Sequence, residues 1–293
     1  MKELKEILKK NSLRVNSYEK LGKVTTISTN NGKYIVKKTK DNKDIFNYLI
    51  TRNFNYYPDI IDNFDNYQIT KYINNIKIPD EQKINDLIKL VAILHSKTSY
   101  YKELNNSEYK QLYEDLLNNI EYLNEYYNDL INIIDTKVYM SPPEYLLARN
   151  ISIIFSSLIF CKNKLEKWYK LVNKQDKYRV AVIHNNLKLS HFIKNNNDYL
   201  ISWDKAKIDL PIFDLYKLYN NHALDFDFYD ILKKYEEIYP LKEEELDLFI
   251  ILISMPNKIE FTDNNYEDCK NIGDELDKIY KTEKFVSEYK KIK

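Results

Sequence analysis

The hydrophobic period of this chain changes once, near Pro79, and that change restricts the fold more than any single motif. Before it, VTTIS and KYIVKK flank an Asn31-Gly32 pair between Tyr18 and Lys38, a β-hairpin signal. A short helix is expected from about Asp41 to Arg52. Tyr56 to Tyr72 then alternates apolar and polar residues around Pro58, as two further short strands would. These elements make a small sheet-bearing region with one helix. After Pro79, Ile84, Leu87, Ile88, Val91 and Leu94 recur at helical spacing, as do Leu112, Leu116, Ile120, Leu123, Tyr127 and Leu130. Pro142-Pro143 opens another long helix, reaching about Val172, because proline is tolerated in a first turn.

One β-like insert, Arg179 to Ala206, interrupts the helical run. Within it Phe192-Ile193 and Tyr199 to Trp203 flank a turn at Asn195 to Asp198 and predict a second hairpin. Helices at Ile212 to His222, Phe228 to Ile238, Leu241 to Ser254 and Asp263 to Lys290 complete the pattern. The expected class is α+β: an antiparallel-sheet lobe over residues 1–75 and a helical lobe over 76–293 carrying a loop at 182–192 and a hairpin at 192–204.

A length of 293 residues supports a real core. The 27 Tyr and 12 Phe offset a charged fraction of 30% that would otherwise suggest disorder. Lys and Arg number 45 against 44 Asp and Glu, with the signs interspersed, so no nucleic-acid partner is expected. Cys161 and Cys269 fit neither a redox pair nor a zinc site, and a cytoplasmic setting is expected. The N-terminal MKELKEILKKNSLRV reads as a short amphipathic helix, not a signal peptide. The apolar runs Ile151 to Phe160 and Leu248 to Met255 are shorter than the roughly 20 residues a membrane span needs, so no span is expected.

Four segments in order carry a resemblance. VIHNNLKLSHF resembles the HGDLxxxN loop of the aminoglycoside and choline phosphotransferases. LISWDKAKIDLPIFDLYKLY resembles their IDW segment with its following helix, KYIVKK resembles the strand bearing their nucleotide-binding lysine, and LVAILHS their Leu-His helix. Over about residues 15 to 285 the chain is similar to that family, which has the two-lobed protein-kinase-like fold, and most of all to spore-coat kinase-like proteins of the CotS type from Gram-positive bacteria. The resemblance puts Asn186 at the catalytic aspartate, His191 at the metal-binding asparagine, Ser202 at the downstream metal-binding aspartate and Lys37 at the nucleotide-binding lysine. His184 takes a backbone-orienting position in the loop, and Asp214 that of an aspartate bracing the loop.

At three of these positions the chemistry is eroded. An amide accepts no proton from a hydroxyl, a loss of about 10²–10⁴ in rate. Imidazole suits zinc, copper or nickel better than magnesium, and a serine brings no anionic charge. Asp204, two residues past Ser202, would share its face on a strand and could replace the lost metal ligand, although an acid in a WDKA turn is ordinarily only solvated. No Glu lies between Thr39 and Pro58 to orient Lys37, which leaves Asp41 or Asp44 as substitutes. His95 caps a helix end, and His222 has no evident partner in the sequence.

Three functions remain open. The first is a non-catalytic pseudokinase binding a small molecule or protein partner in the interlobe cleft, related to the spore coat. The second is an active ATP- and Mg2+-dependent phosphotransferase acting on a hydroxyl, its metal site rebuilt from Asp204, His191 and Asp198. The third is a purely structural assembly protein. The oligomeric state does not follow from the sequence.

Overall fold

The computed structural model describes residues 13–290 apart from 23, 40–41, 65–66 and 104–105. The expected N-terminal helix falls largely on residues 1–12, outside the described residues, and so does Asp41. Contacts divide the chain into two compact units, Met1–Ser99 with Ala181–Asp209, and Tyr100–Val180 with Leu210–Lys293.

The first unit is built on a five-stranded antiparallel sheet. Its strands are β1 (Val15–Leu21), β2 (Val24–Thr29), β3 (Gly32–Lys38), β4 (Ile60–Phe64) and β5 (Tyr67–Lys71), in the order β1-β2-β3-β5-β4. The β2–β3 hairpin closes at the expected place by a different device. Thr29 pairs with Gly32, the positive φ falls on Gly32 (123°) and neither Asn30 nor Asn31 shares it, and the Thr29 hydroxyl donates to the Gly32 carbonyl at 2.9 Å. Strand alternation gives the sheet two faces. Ile27, Val36 and Ile69 point one way and pack with Leu13, Tyr34 and Tyr67. Ile35, Lys37, Gln68 and Thr70 point the other way, with Ile35 opposite Thr70 and Lys37 opposite Gln68.

Helix α1 (Lys43–Thr51) buries Phe46 and Leu49. Helix α2 (Asp80–Thr98) places Asp80 and Glu81 in its first turn, where carboxylates favour the positive end of the helix dipole. Thr98, fully buried at its other end, donates to the Leu94 carbonyl at 2.7 Å and accepts the Val182 N–H at 3.1 Å. The same unit holds the hairpin of β8 (Phe192–Lys194) and β9 (Asp198–Leu200), and β10 (Lys207–Asp209), which pairs with residues 181–183 of β7 (Lys177–Ile183).

The second unit is helical apart from β6 (Tyr100–Glu103), which pairs with residues 177–180 of β7. Its helices are α3 (Asn106–Asp135), α4 (Pro142–Val172), α5 (Ile212–His222), α6 (Phe228–Glu236), α7 (Glu243–Ser254) and α8 (Asn265–Lys290). Pro142 opens α4 as expected, and Glu144 accepts the Ser141 N–H at 2.7 Å, closing the first turn. By length and composition α4 could cross a membrane. Here its Ile154, Leu158, Cys161, Leu165 and Trp168 are buried in this unit, and Ser157 and Trp168 donate to the Ser254 and Glu244 carbonyls at 2.7 and 3.0 Å. The short strands β6 and β10 went unread in the sequence because three or four residues are too few to display a period.

Candidate functional site

The inner face of the five-stranded sheet lines a cavity of about 160 Å3. Val24, Ile35, Ile193 and Ile201 give it apolar walls, Phe46, Tyr57 and Trp203 an aromatic side, and Lys37, Gln68, Thr70, Ser202 and Asp204 a polar end. All these residues belong to the first unit.

Lys37 is the pivot of the polar end. Its ammonium forms an ion pair with Asp204 and donates to Ser202 Oγ at 3.4 Å. Three of the seven candidate positions thus meet, although 165 residues separate Lys37 from Ser202. The route is not the expected one. Strand β9 ends at Leu200, Ser202 takes a left-handed conformation (φ 67°, ψ 50°), and Trp203–Lys205 form a 3-10 turn. Asp204 therefore reaches Lys37 from a turn, not from the face of a strand. It is not merely solvated, and it is the carboxylate that pairs with Lys37, the role for which Asp44 had been considered.

The loop before the hairpin is held by backbone acceptors. His184 is fully buried, and its Nε2–H donates to the Ile201 carbonyl at 2.8 Å. Its ring meets Trp203 edge-on at 5.0 Å. Trp203 donates to the Leu200 carbonyl at 2.8 Å and touches Phe46, Phe54 and Tyr57. Asn185 adopts φ 58°, and its amide donates to the Lys205 carbonyl at 3.0 Å. This second left-handed residue turns the chain so that Asn186 follows, half-buried.

His191 is held more tightly than the sequence suggests. Its Nδ1 lies 2.6 Å from the Asn186 carbonyl, and since a carbonyl can only accept, Nδ1 carries the proton. Burial pushes the imidazole below its ordinary pKa. The Asn186 carbonyl opposes that shift, the charges of Lys37 and Lys188 reinforce it, and Asp204 opposes it. The neutral ring therefore keeps Nε2 as an acceptor, within electrostatic range of Lys37 and Asp204.

The remaining expectations separate. Asp198, considered as a third metal ligand, pairs with Lys194 at 2.7 Å and does not line the cavity; Lys194 also pairs with Asp86 at 2.9 Å. Asp214 is fully buried in the first turn of α5, in the second unit. His95 is fully buried near the end of α2, and His222 has a partner after all, Asp225 at 2.9 Å. Among the described residues no group of three or more His, Cys, Asp and Glu side chains could hold a metal ion. Sequence reasoning missed Gln68 and Thr70, whose spacing of two around the buried Ile69 was the available signal. Gln68 Nε2 is enclosed and finds no hydrogen-bond partner among the described residues.

No protein-family model matches the sequence, and no curated protein matches it. Solved structures do. An aminoglycoside phosphotransferase from Alicyclobacillus acidocaldarius aligns with a TM-score of 0.71 over 94% of this chain and 92% of that one, at 10% identity. The AMP-bound spectinomycin phosphotransferase APH(9)-Ia aligns at 0.55 over 98% and 94%, at 12% identity. The choline kinase LicA from Streptococcus pneumoniae aligns at 0.51 over 98% and 99%, at 18% identity. At such identities the likeness establishes the fold, and the chain has the two-lobed protein-kinase-like α+β fold.

Proposed function

We propose that this protein is a pseudokinase, a kinase-like chain that keeps a ligand pocket against its sheet and has lost phosphoryl transfer. The observation that carries the proposal is the pairing of Lys37 with Asp204. In an active enzyme of this fold, the lysine and a metal-binding carboxylate both act on phosphate oxygens. Here they neutralise each other, and Asn186, His191 and Ser202 supply no second carboxylate. Binding a nucleoside polyphosphate with magnesium would have to break the Lys37–Asp204 ion pair, and Asn186, at the position of the family's catalytic aspartate, supplies no base to activate a hydroxyl.

The pocket suits a flat heteroaromatic ligand. Its aliphatic walls and aromatic side match a base, while Thr70 and the unpartnered Gln68 amide give hydrogen-bonding edges. An adenine nucleoside or nucleotide is the ligand class we assign, in line with the AMP in the spectinomycin phosphotransferase structure. The likeness of VIHNNLKLSHF and LISWDKAKIDLPIFDLYKLY to CotS-type proteins supports a setting in the cytoplasm of a spore-forming cell or in its spore coat.

One observation favours an active phosphotransferase instead: with Nδ1 donating to the Asn186 carbonyl, the neutral His191 ring keeps an Nε2 lone pair able to accept a proton. The two readings separate in a thermal-shift titration with ATP, AMP and adenosine, each with and without magnesium, manganese and zinc. Stabilisation independent of metal supports the pseudokinase. Metal-dependent stabilisation by ATP, followed by turnover with a hydroxyl substrate, would favour the enzyme.

A further inference from the structure

The helical unit contains a second and larger cavity, of about 800 Å3, in the size range of small-molecule sites. It lies between the end of α5 with its following turn, the segment 257–262, and the middle of α8. Its floor holds an anomaly. Along α8 the buried stripe runs Ile272, Glu275, Lys278, Ile279, Thr282, Phe285, Val286 and Tyr289, so a lysine occupies a core position. Lys278 is only 9% exposed.

Its neighbours are already engaged. Glu275, one turn earlier, accepts from the Asn257 backbone N–H and side-chain amide, both at 2.7 Å. The Thr282 hydroxyl bonds Tyr219 at 2.5 Å and donates to the Lys278 carbonyl at 2.8 Å. Of the acids at the rim, Glu260 pairs with Lys258 at 2.7 Å and Asp225 with His222 at 2.9 Å. Among the described residues the Lys278 ammonium makes no hydrogen bond and no ion pair, and feels Glu275 only through its field. Burial accordingly pushes the lysine below its ordinary pKa. Desolvation of this amine carries a cost that an anion in the cavity in front of it would offset.

We propose that this cavity is a ligand site for a small organic oxyanion on a hydroxyl-rich body, with Lys278 as the anion anchor. The ammonium meets the carboxylate or phosphate. Asn220 and Asn271, exposed around the opening, offer amides for hydrogen bonds to a polyol. The exposed Asp274 at the rim repels extended polyanions, which selects a single anionic group.

The test titrates the full chain with glucuronate, glucose 6-phosphate and glucose by calorimetry at neutral pH. At least one of the two anions should bind about tenfold or more tightly than glucose, which is about 1.4 kcal/mol. Glucuronate alone would assign a carboxylate ligand and glucose 6-phosphate alone a phosphate ester. Lys278→Met should erase the preference over glucose and should raise the melting temperature, because it keeps the packing stem and removes an unpaired amine. Lysine labelling of the unaltered protein, mapped by mass spectrometry, should show the bound anion protecting Lys278. Neither anion exceeding glucose, a preference surviving in Lys278→Met, or no protection at Lys278 would each overturn the proposal.

Discussion

Replacing Asp204 tests whether the Lys37–Asp204 pair organises the pocket. The two side chains are 21% and 30% exposed, between the surface and buried regimes. Exposed pairs contribute about 0–1 kcal/mol, whereas breaking a buried pair costs about 3–5 kcal/mol. At this partial exposure solvent screening removes much of the interaction, and a coupling of about 1–2 kcal/mol is expected. The variants are Asp204→Asn, Lys37→Met and the double substitution. Asp204→Asn leaves Lys37 with Ser202 Oγ at 3.4 Å as its remaining partner among the described residues, so the single change should destabilise more than the double. Urea unfolding should be followed through Trp203 in a Trp168→Phe background, since these are the two tryptophans and they belong to different units. That choice restricts the signal to the unit carrying the pair. A coupling energy under about 0.5 kcal/mol, the usual error of additivity, would refute the reasoning, because Asp204 would then be only a turn residue.

Three further outcomes are expected. Burial holds His191 below the ordinary histidine value of about 6.5, so on acidification the unfolded chain takes up this proton first. Its contribution is fully present above about pH 6.5 and is lost as pH falls through that value toward the folded pKa; His191→Gln should flatten the change in urea midpoint across this window. Thr98→Val should cost about 1–3 kcal/mol, measured by urea unfolding, because it leaves the buried Val182 N–H without its side-chain acceptor. Asn186→Asp with Ser202→Asp should confer metal-dependent nucleotide binding by calorimetry yet almost no phosphoryl transfer, since the His191 imidazole, a poor magnesium ligand, stays in the loop; substantial turnover would show a pocket built for catalysis.

Much of the fold was legible because it rests on local chemistry. The period change at Pro79, the proline pair opening α4 and the turn between β8 and β9 are each written within a few residues, and each lies where expected. Where the sequence misled, the cause was also local. A strand was assumed through Ser202 and Asp204, and a left-handed residue ended it, a conformation that a serine does not advertise. His222 looked solitary although Asp225 stands three residues on, within reach at a helix end.

The candidate site depended on contacts of a different range. Sequence similarity could place Lys37 and Ser202 in one motif set and show that carboxylates were missing there. It could not show that Asp204, 167 residues from Lys37, neutralises it, or that Gln68 faces the same space. Nor could the stripe on α8 reveal whether Lys278 had a partner, since that depended on Glu275 being taken by Asn257 in another segment. Local sequence determines period, turns and caps because backbone geometry and side-chain entropy act over a few residues. Which charges meet is decided by tertiary packing, because an ion pair forms only where the whole fold brings two side chains within a few ångströms and takes water away from both.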